Sequence, residues 1–322
     1  MKKLFLLALA TLCTLLPLTG LRLTAAEPTA TAYLFAYFVK NGEDGLHLAA
    51  SADGYTFEAL NEGKSFLTPQ VGESKLMRDP CLLRGPDGIF RMVWTTAWEG
   101  KTIGYASSFD LIHWSEQKAL PVMVQEPGTR NCWAPEIAYD DAKKQFLVFW
   151  ATTVTGKFTE TLVAEEKGYN HRIYSTTTKD FSTFTPTRLF YEPGFNVIDA
   201  TLLQANQRFY LIVKDETRIP IKKNLRIASS TDIEGPYTEL SAPFTRDWVE
   251  GPTAIKVGDS YVVYFDCYRE KHYGAVSSKD LRKWEDVTPK IKFPPGARHG
   301  TVIEVPVALI ESLRNTSARS AK

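Results

Sequence analysis

One short pattern recurs five times along this chain of 322 residues, and it limits the fold more than any other feature. The copies begin at Leu46, Ile103, Arg172, Leu225 and Tyr273, with spacings of 57, 69, 53 and 48 residues. Each is a short strand, a Ser/Thr pair (Ala50 and Ser51 in the first copy), an aspartate and then an aromatic residue. The aspartates are Asp53, Asp110, Asp180, Asp232 and Asp280, and the aromatics are Phe57, Trp114, Phe184, Tyr237 and Trp284. An aspartate just past a strand bonds its own downstream backbone and so makes a turn. Self-similarity at this period is the mark of a repeat architecture built from one supersecondary unit.

Strands can be placed around each copy. A strongly apolar strand lies upstream: Tyr33 to Val39, Phe90 to Thr96, Phe146 to Thr152, Phe209 to Val213 and Tyr261 to Phe265. Four of these follow a polar turn and a further strand, at Asp79 to Leu83, Ala134 to Tyr139, Asp199 to Leu203 and Gly251 to Val257. The fifth such strand, Gly300 to Val305, stands at the far end of the chain, where it completes the unit begun by Tyr33 to Phe57. Pairing the two ends closes a ring and removes free sheet edges. The expectation is an all-β, five-bladed β-propeller over residues 27–310. Seven Trp, 14 Tyr and 18 Phe suit it, because aromatic side chains pack well on pleated, half-buried surfaces. Residues 311–322 read as a polar, frayed tail.

The first 26 residues read separately. Lys2 and Lys3 precede an apolar run from Leu4 to Leu18, and small residues follow at Ala25 and Ala26, the pattern of a secretory signal peptide. Pro17 and Gly20 break the run too early for a membrane span. Cleavage near Ala26 implies an exported chain, periplasmic or extracellular, with no membrane span in the mature form. Losing Lys2, Lys3 and Arg22 takes 38 bases to 35 against 37 acids, a net of −2. Such a balance offers no basic footprint for a nucleic acid partner. The remaining Cys81, Cys132 and Cys267 form no disulfide framework and lack zinc spacing, so they read as small core residues, with a Cys81–Cys132 bridge as the alternative.

In a propeller the innermost strands line a central channel. Their openings read Arg78-Asp79-Pro80, Trp133-Ala134-Pro135-Glu136, Ile198-Asp199-Ala200, Val249-Glu250-Gly251-Pro252 and Arg298-His299-Gly300. Carboxylates at equivalent points of successive blades converge on one funnel. Crowded like charges split their pKa values, which supplies an acid and a base. Cleavage of a glycosidic bond by water uses such a pair. Taken singly, each acid also fits a turn cap or a pair with Arg78 or Arg298.

This ordered set resembles glycoside hydrolase family 43 over Tyr33 to Val305. The resemblance implies that Asp79 is the general base, Glu250 the general acid, and Asp199 the residue that raises the acid's pKa and orients it, with inversion at the anomeric carbon. It implies an oligo- or polysaccharide substrate, no required cofactor, and either a structural calcium ion or a water on the propeller axis near His299. A terminal pentose or furanose is the expected sugar, with α-L-arabinofuranosidase first and β-xylosidase, galactofuranosidase and endo-arabinanase after it. A carbohydrate-binding propeller without catalysis is the rival of another class. A retaining fructan-cleaving relative is the enzymatic rival, although its Asn-Asp-Pro is Arg-Asp-Pro here.

Some of the remaining candidates carry two readings. Trp133 is a sugar platform or a core residue. Glu136, where the family often has Asp, supports the site by hydrogen bonding. Arg298 binds substrate hydroxyls or pairs with Asp79 or Glu136. Lys214, Asp215 and Glu216 form a solvated loop or touch substrate, and His113 is on the surface. The insert from Thr155 to Asn170, behind the 69-residue spacing, walls one end of the groove in the exo reading.

Overall fold

The computed structural model describes residues 30–319, so the expected signal peptide lies outside the described residues. The protein is a five-bladed β-propeller. Four blades run in order from the axis outward: Arg78–Arg84 to Lys118–Leu120, Trp133–Asp140 to Arg188–Tyr191, Val197–Ala205 to Asn224–Ser230, and Glu250–Val257 to Glu285–Asp286. The third has three strands, and a single bridge between Ser229 and Thr238 stands where its fourth would lie. In the closing blade Ala297–Pro306 takes the inner place and pairs antiparallel with Thr31–Val39, Thr31 facing Pro306 and Val39 facing Ala297. The termini therefore close the ring, and each inner strand packs against those of the two neighbouring blades.

The repeated aspartates make the turns expected of them. Asp53, Asp110, Asp180 and Asp280 each accept, on one carboxylate oxygen, the N–H groups two and three residues on, at 2.7–3.0 Å. Asp232 accepts only from Glu234, because the N–H of Gly235 goes to its backbone carbonyl. The hydroxyls of Ser51, Ser108, Thr178, Ser230 and Ser278 accept the aspartate's own N–H at 3.1–3.3 Å. Each turn is thus satisfied within six residues.

Apolar side chains fill the gaps between blades rather than one central core. Leu34, Ala36, Leu82, Met92 and Trp94 join the closing blade to the first. Val93, Tyr105, Val148, Trp150 and Phe181 join the first to the second. Phe35, Phe57, Tyr264 and Tyr273 seal the fourth to the closing blade. Cys81, Cys132 and Cys267 are free thiols buried in these layers, as the core reading expected, and the Cys81–Cys132 bridge does not form.

One expectation fails. The frayed tail over 311–322 is instead helical from Val307 to Arg319. Ile310 and Leu313 lie three residues apart on one face and bury in the layer between the closing and first blades. Leu313 is fully buried. The Ser-rich composition of the segment hid that stripe, which is one helical turn in spacing. Among the described residues no helix is long and apolar enough to cross a membrane.

Ring closure depends on Gly300. A Cβ there would lie 2.0 Å from the carbonyl oxygen of Ala36 and 2.9 Å from the Phe35 ring, so the inner strand could not pair with Thr31–Val39 unshifted. Overpacking of this kind costs about 1–3 kcal/mol. Gly300→Ala therefore lowers the melting temperature by several degrees in a circular dichroism melt. An unchanged melt would show that the closure tolerates a side chain.

Candidate active site

All five inner strands carry the same irregularity near the channel mouth. Pairing with the second strand slips between Arg78 and Cys81, Trp133 and Glu136, Ile198 and Thr201, and Glu250 and Thr253, and in the closing blade between Ala36 and Phe38, opposite Thr301 and Arg298. A bulge bends its strand and re-aims the side chains within it. Asp79 (φ 51°), Ala134 (φ 44°), Asp199 (φ 50°) and Gly251 (φ 59°) hold the first bulged position in left-handed backbone, which aspartate tolerates better than most residues. Gly251 is doubly constrained, since a Cβ there would sit 2.4 Å from the His299 ring.

This register refines the expected equivalence of the acids. Asp79 and Asp199 share one bulge position, Glu250 stands one residue earlier, and Glu136 two residues later. Asp79, Asp199 and Glu250 line one cavity of about 350 Å³, together with Trp133, Arg298 and His299. Glu136 is buried outside that lining, where its carboxylate accepts a hydrogen bond from Thr201 at 2.9 Å. Burial pushes its carboxyl up to about 7.

Each acid has its own environment. Asp79 accepts from Thr95 Oγ1 at 2.8 Å and lies 3.4 Å from His299 Nδ1. The Thr95 hydroxyl in turn accepts the N–H of Ala134 in the next blade at 2.8 Å. Asp199 accepts the N–H of Gly251 at 3.0 Å, and burial lifts its carboxyl to about 6, aided by repulsion from Glu250 and Asp79 and opposed by His299 and Lys214. Glu250 is partly buried, and desolvation alone would raise it. Lys214 at 3.1 Å and Arg298 at 3.1 Å outweigh burial and hold it below the ordinary value. Burial disfavours charge on His299, but the surrounding carboxylates reverse that and raise its pKa.

Several candidates change partners. Arg298 pairs with neither Asp79 nor Glu136. Its Nε donates to Asp266 at 2.6 Å and its Nη2 to Glu250, because the closing inner strand abuts the fourth blade at this height. Lys214 and Glu216 line the cavity, whereas Asp215 turns away to Arg226 at 3.5 Å. Alternate side chains of a strand point to opposite faces, so the three could not all face substrate. His113 is exposed, bonded to Asp110. The insert backs the wall rather than forming it: Tyr169 packs on Trp133 with ring centroids 4.8 Å apart, and no residue from 155 to 170 is among those lining the cavity.

Sequence reasoning missed Lys40, Asn41 and Trp98. Asn41 Oδ1 accepts from Trp98 Nε1 at 3.1 Å and Arg78 Nη1 at 3.0 Å, and Arg78 lies 4.3 Å above the Trp98 ring. Trp98, half exposed, stands edge-on to Trp133 at 5.6 Å. These residues sit in loops beyond the second strands, where no repeat marks them.

His299 belongs to no trio of metal-ligating side-chain atoms among the described residues. Among the described residues, the one trio of such ligand atoms within 4.8 Å of one another is Cys267, Glu270 and His272, away from the axis. Glu270 is taken up there by two hydrogen bonds from Arg246. His299 instead faces Asp79 as a charge partner.

Comparison with known proteins gives the family. A family model related to glycoside hydrolase family 43, described as a probable glycosyl hydrolase domain, matches residues 28–311. The chain belongs to this family, which is related to glycoside hydrolase family 43. An α-L-arabinofuranosidase of Bifidobacterium longum subsp. longum is 22% identical over 344 aligned positions, covering 83% of this chain and 32% of that protein. The chain thus spans about a third of the length of that curated relative. Among solved structures, a thermostable family-43 glycoside hydrolase superposes with a TM-score of 0.54 at 17% identity, covering 69% of this chain and 78% of that one. An α-L-arabinofuranosidase from Lactobacillus brevis gives 0.53 at 17% identity, covering 66% and 72%. An exo-β-1,3-galactanase from Phanerochaete chrysosporium gives 0.51 at 13%, covering 64% and 48%. At these identities they share the family-43 fold.

Glu136 gives a test by pH. A carboxyl that binds its proton more tightly folded than unfolded contributes stability at low pH, and that contribution is lost as pH rises from the ordinary 4.5 through about 7. Glu136→Gln removes the buried charge and keeps an acceptor for Thr201. Its melting temperature relative to the parent is therefore higher at pH 8 than at pH 5. A gap that does not change with pH would contradict the assigned environment.

Proposed function

We propose that the protein is an inverting glycoside hydrolase releasing terminal pentose or furanose residues, α-L-arabinofuranose foremost, from plant-type oligo- or polysaccharide. The observation that carries the reading is the convergence of Asp79, Asp199 and Glu250, from three blades, on one cavity with unlike partners. Asp79 is the general base that takes a proton from the attacking water, and Thr95 and His299 hold its carboxylate in place. Glu250 is the general acid that protonates the departing glycosidic oxygen. Asp199, one residue from Glu250 across the Gly251 N–H, orients it and repels its negative charge.

Burial lifts Asp199 whereas Lys214 and Arg298 hold Glu250 down, the reverse of the order that general acid catalysis uses. In this reading substrate entry loosens a cation from Glu250. Arg298, about a third exposed beside the cavity, is better placed to move than the buried Lys214. Trp133 and Trp98 offer apolar surface to a sugar ring. The arabinofuranosidase relative supports the sugar assignment, and the apolar run after Lys2 and Lys3 supports export.

General acid assistance is worth roughly 10²–10⁴-fold. Glu250→Gln should lose that factor in kcat on alkyl glycosides and far less on dinitrophenyl glycosides, whose leaving groups need no proton. Equal losses on both would contradict the role of Glu250. A nitrophenyl panel of α-L-arabinofuranoside, β-xyloside, β-galactofuranoside and β-galactopyranoside reads the sugar. Fastest turnover of the arabinofuranoside is expected, and faster turnover of any other member would reassign the substrate.

A further inference from the structure

A buried lysine is costly unless compensated, and Lys214 is compensated on two sides. It stands in the second strand of the third blade with its side chain 2% exposed. Its ammonium lies 3.1 Å from Glu250 and 2.8 Å from Glu216, and 4.9 Å from the centre of the Tyr268 ring. Glu216 is also paired with Lys223, and Lys223 reaches Glu166 of the insert at 2.9 Å. The charges alternate in one line from the insert to the cavity: Glu166, Lys223, Glu216, Lys214, Glu250.

We propose that Lys214 and Glu216 form an electrostatic clamp that sets how readily Glu250 takes up its proton, with Lys214 opposing protonation and Glu216 limiting that opposition by competing for the same ammonium. The inference rests on Glu250 being the general acid. Lys214 acts through Glu250 and is a positioning residue. The same geometry makes Glu250 the one carboxylate of the three held by two cations, and its proton affinity is correspondingly low while that of Lys214 is raised.

The other charged and titratable groups facing Glu250 stay in place in the test: Arg298 and His299 from the closing blade, Asp199 from the third inner strand, and Asp266, Tyr268 and Tyr273 from the fourth blade. An opposite charge at this range moves a carboxyl by about 1–3 units. With an acid that must be protonated, the alkaline limb of kcat/KM tracks its pKa.

The experiment is the pH profile of kcat/KM on the unsubstituted phenyl glycoside of the sugar the enzyme releases. Lys214→Met should move the alkaline limb up by about one unit or more. Glu216→Gln, which leaves Lys214 undivided on Glu250, should move it down. Lys214→Arg should leave it near the parent position. A merely structural role would lower kcat without moving the limb, or move it the same way in both variants, and either result overturns the clamp. Should Lys214→Met fail to fold by circular dichroism, Glu216→Gln decides alone: a downward shift supports the clamp, and an unmoved or raised limb refutes it. Glu250→Gln separates the two claims. If the limb survives in that variant, the acid assignment is wrong; if it vanishes there yet ignores Lys214 and Glu216, the clamp is wrong.

Discussion

The five inner strands stand together at the axis because each is tied to the next by a hydrogen bond at the bulge. Thr95 joins Asp79 to the Ala134 N–H, Thr201 donates to Glu136, and the Gly251 N–H donates to Asp199. Thr253 accepts the Val302 N–H, and Thr301 donates to the Pro80 carbonyl, which returns the ring to the first blade. Buried polar groups are expensive when unpaired, so this circuit sets the height and rotation of each blade at the mouth. Asp79 and Asp199 are members of it. The carboxylates that face the cavity are also ties between blades, and their left-handed backbone is held by the surrounding sheets. The cavity-facing acids and the ring closure therefore depend on the same five short stretches.

The electrostatics follow from that crowding. Burial and mutual repulsion favour protonation of Asp199 and of the deeper Glu136. Lys214, Arg298 and His299 enter from neighbouring strands and divide the acids. Glu250 receives both strong cations and is pulled down, whereas Asp199 relies on an amide and is lifted by burial. A near-neutral chain conceals this local separation of charge. Asp199 and Glu250, in one cavity, are shifted in opposite directions because their partners differ.

Much of the architecture was legible because the repeat is local. Asp110 or Asp280 makes its turn with groups two and three residues away, so a short stretch of sequence contains the whole interaction. The closing pair, residues 31–39 with 297–306, could be inferred because one strand lacked an inner neighbour and another lacked a blade. What depends on register was harder. Glu250 precedes its bulge position by one residue and Glu136 follows by two, a difference visible only once the pairing is known. Arg298 finds Asp266 because blade spacing brings them together, and nothing within the Arg298-His299-Gly300 stretch indicates it. Trp98 and Asn41 sit on loops outside the repeat, and the helix over 307–319 is anchored by Val307, Leu309, Ile310 and Leu313 ahead of a polar run. Site residues on repeated strands were therefore found, and those set by contact between blades were not.

The central claim is that Asp79 and Glu250 act across the cavity on opposite faces of a sugar, with a water between one of them and the anomeric carbon. Carboxylates placed for that reaction stand roughly 6.5–9.5 Å apart and invert configuration. Proton NMR of the first-formed sugar, recorded before mutarotation, reads this directly. The account predicts that an α-linked substrate releases the β anomer first. Release of the α anomer first would mean a covalent intermediate and would contradict the assignment of Asp79 as a base.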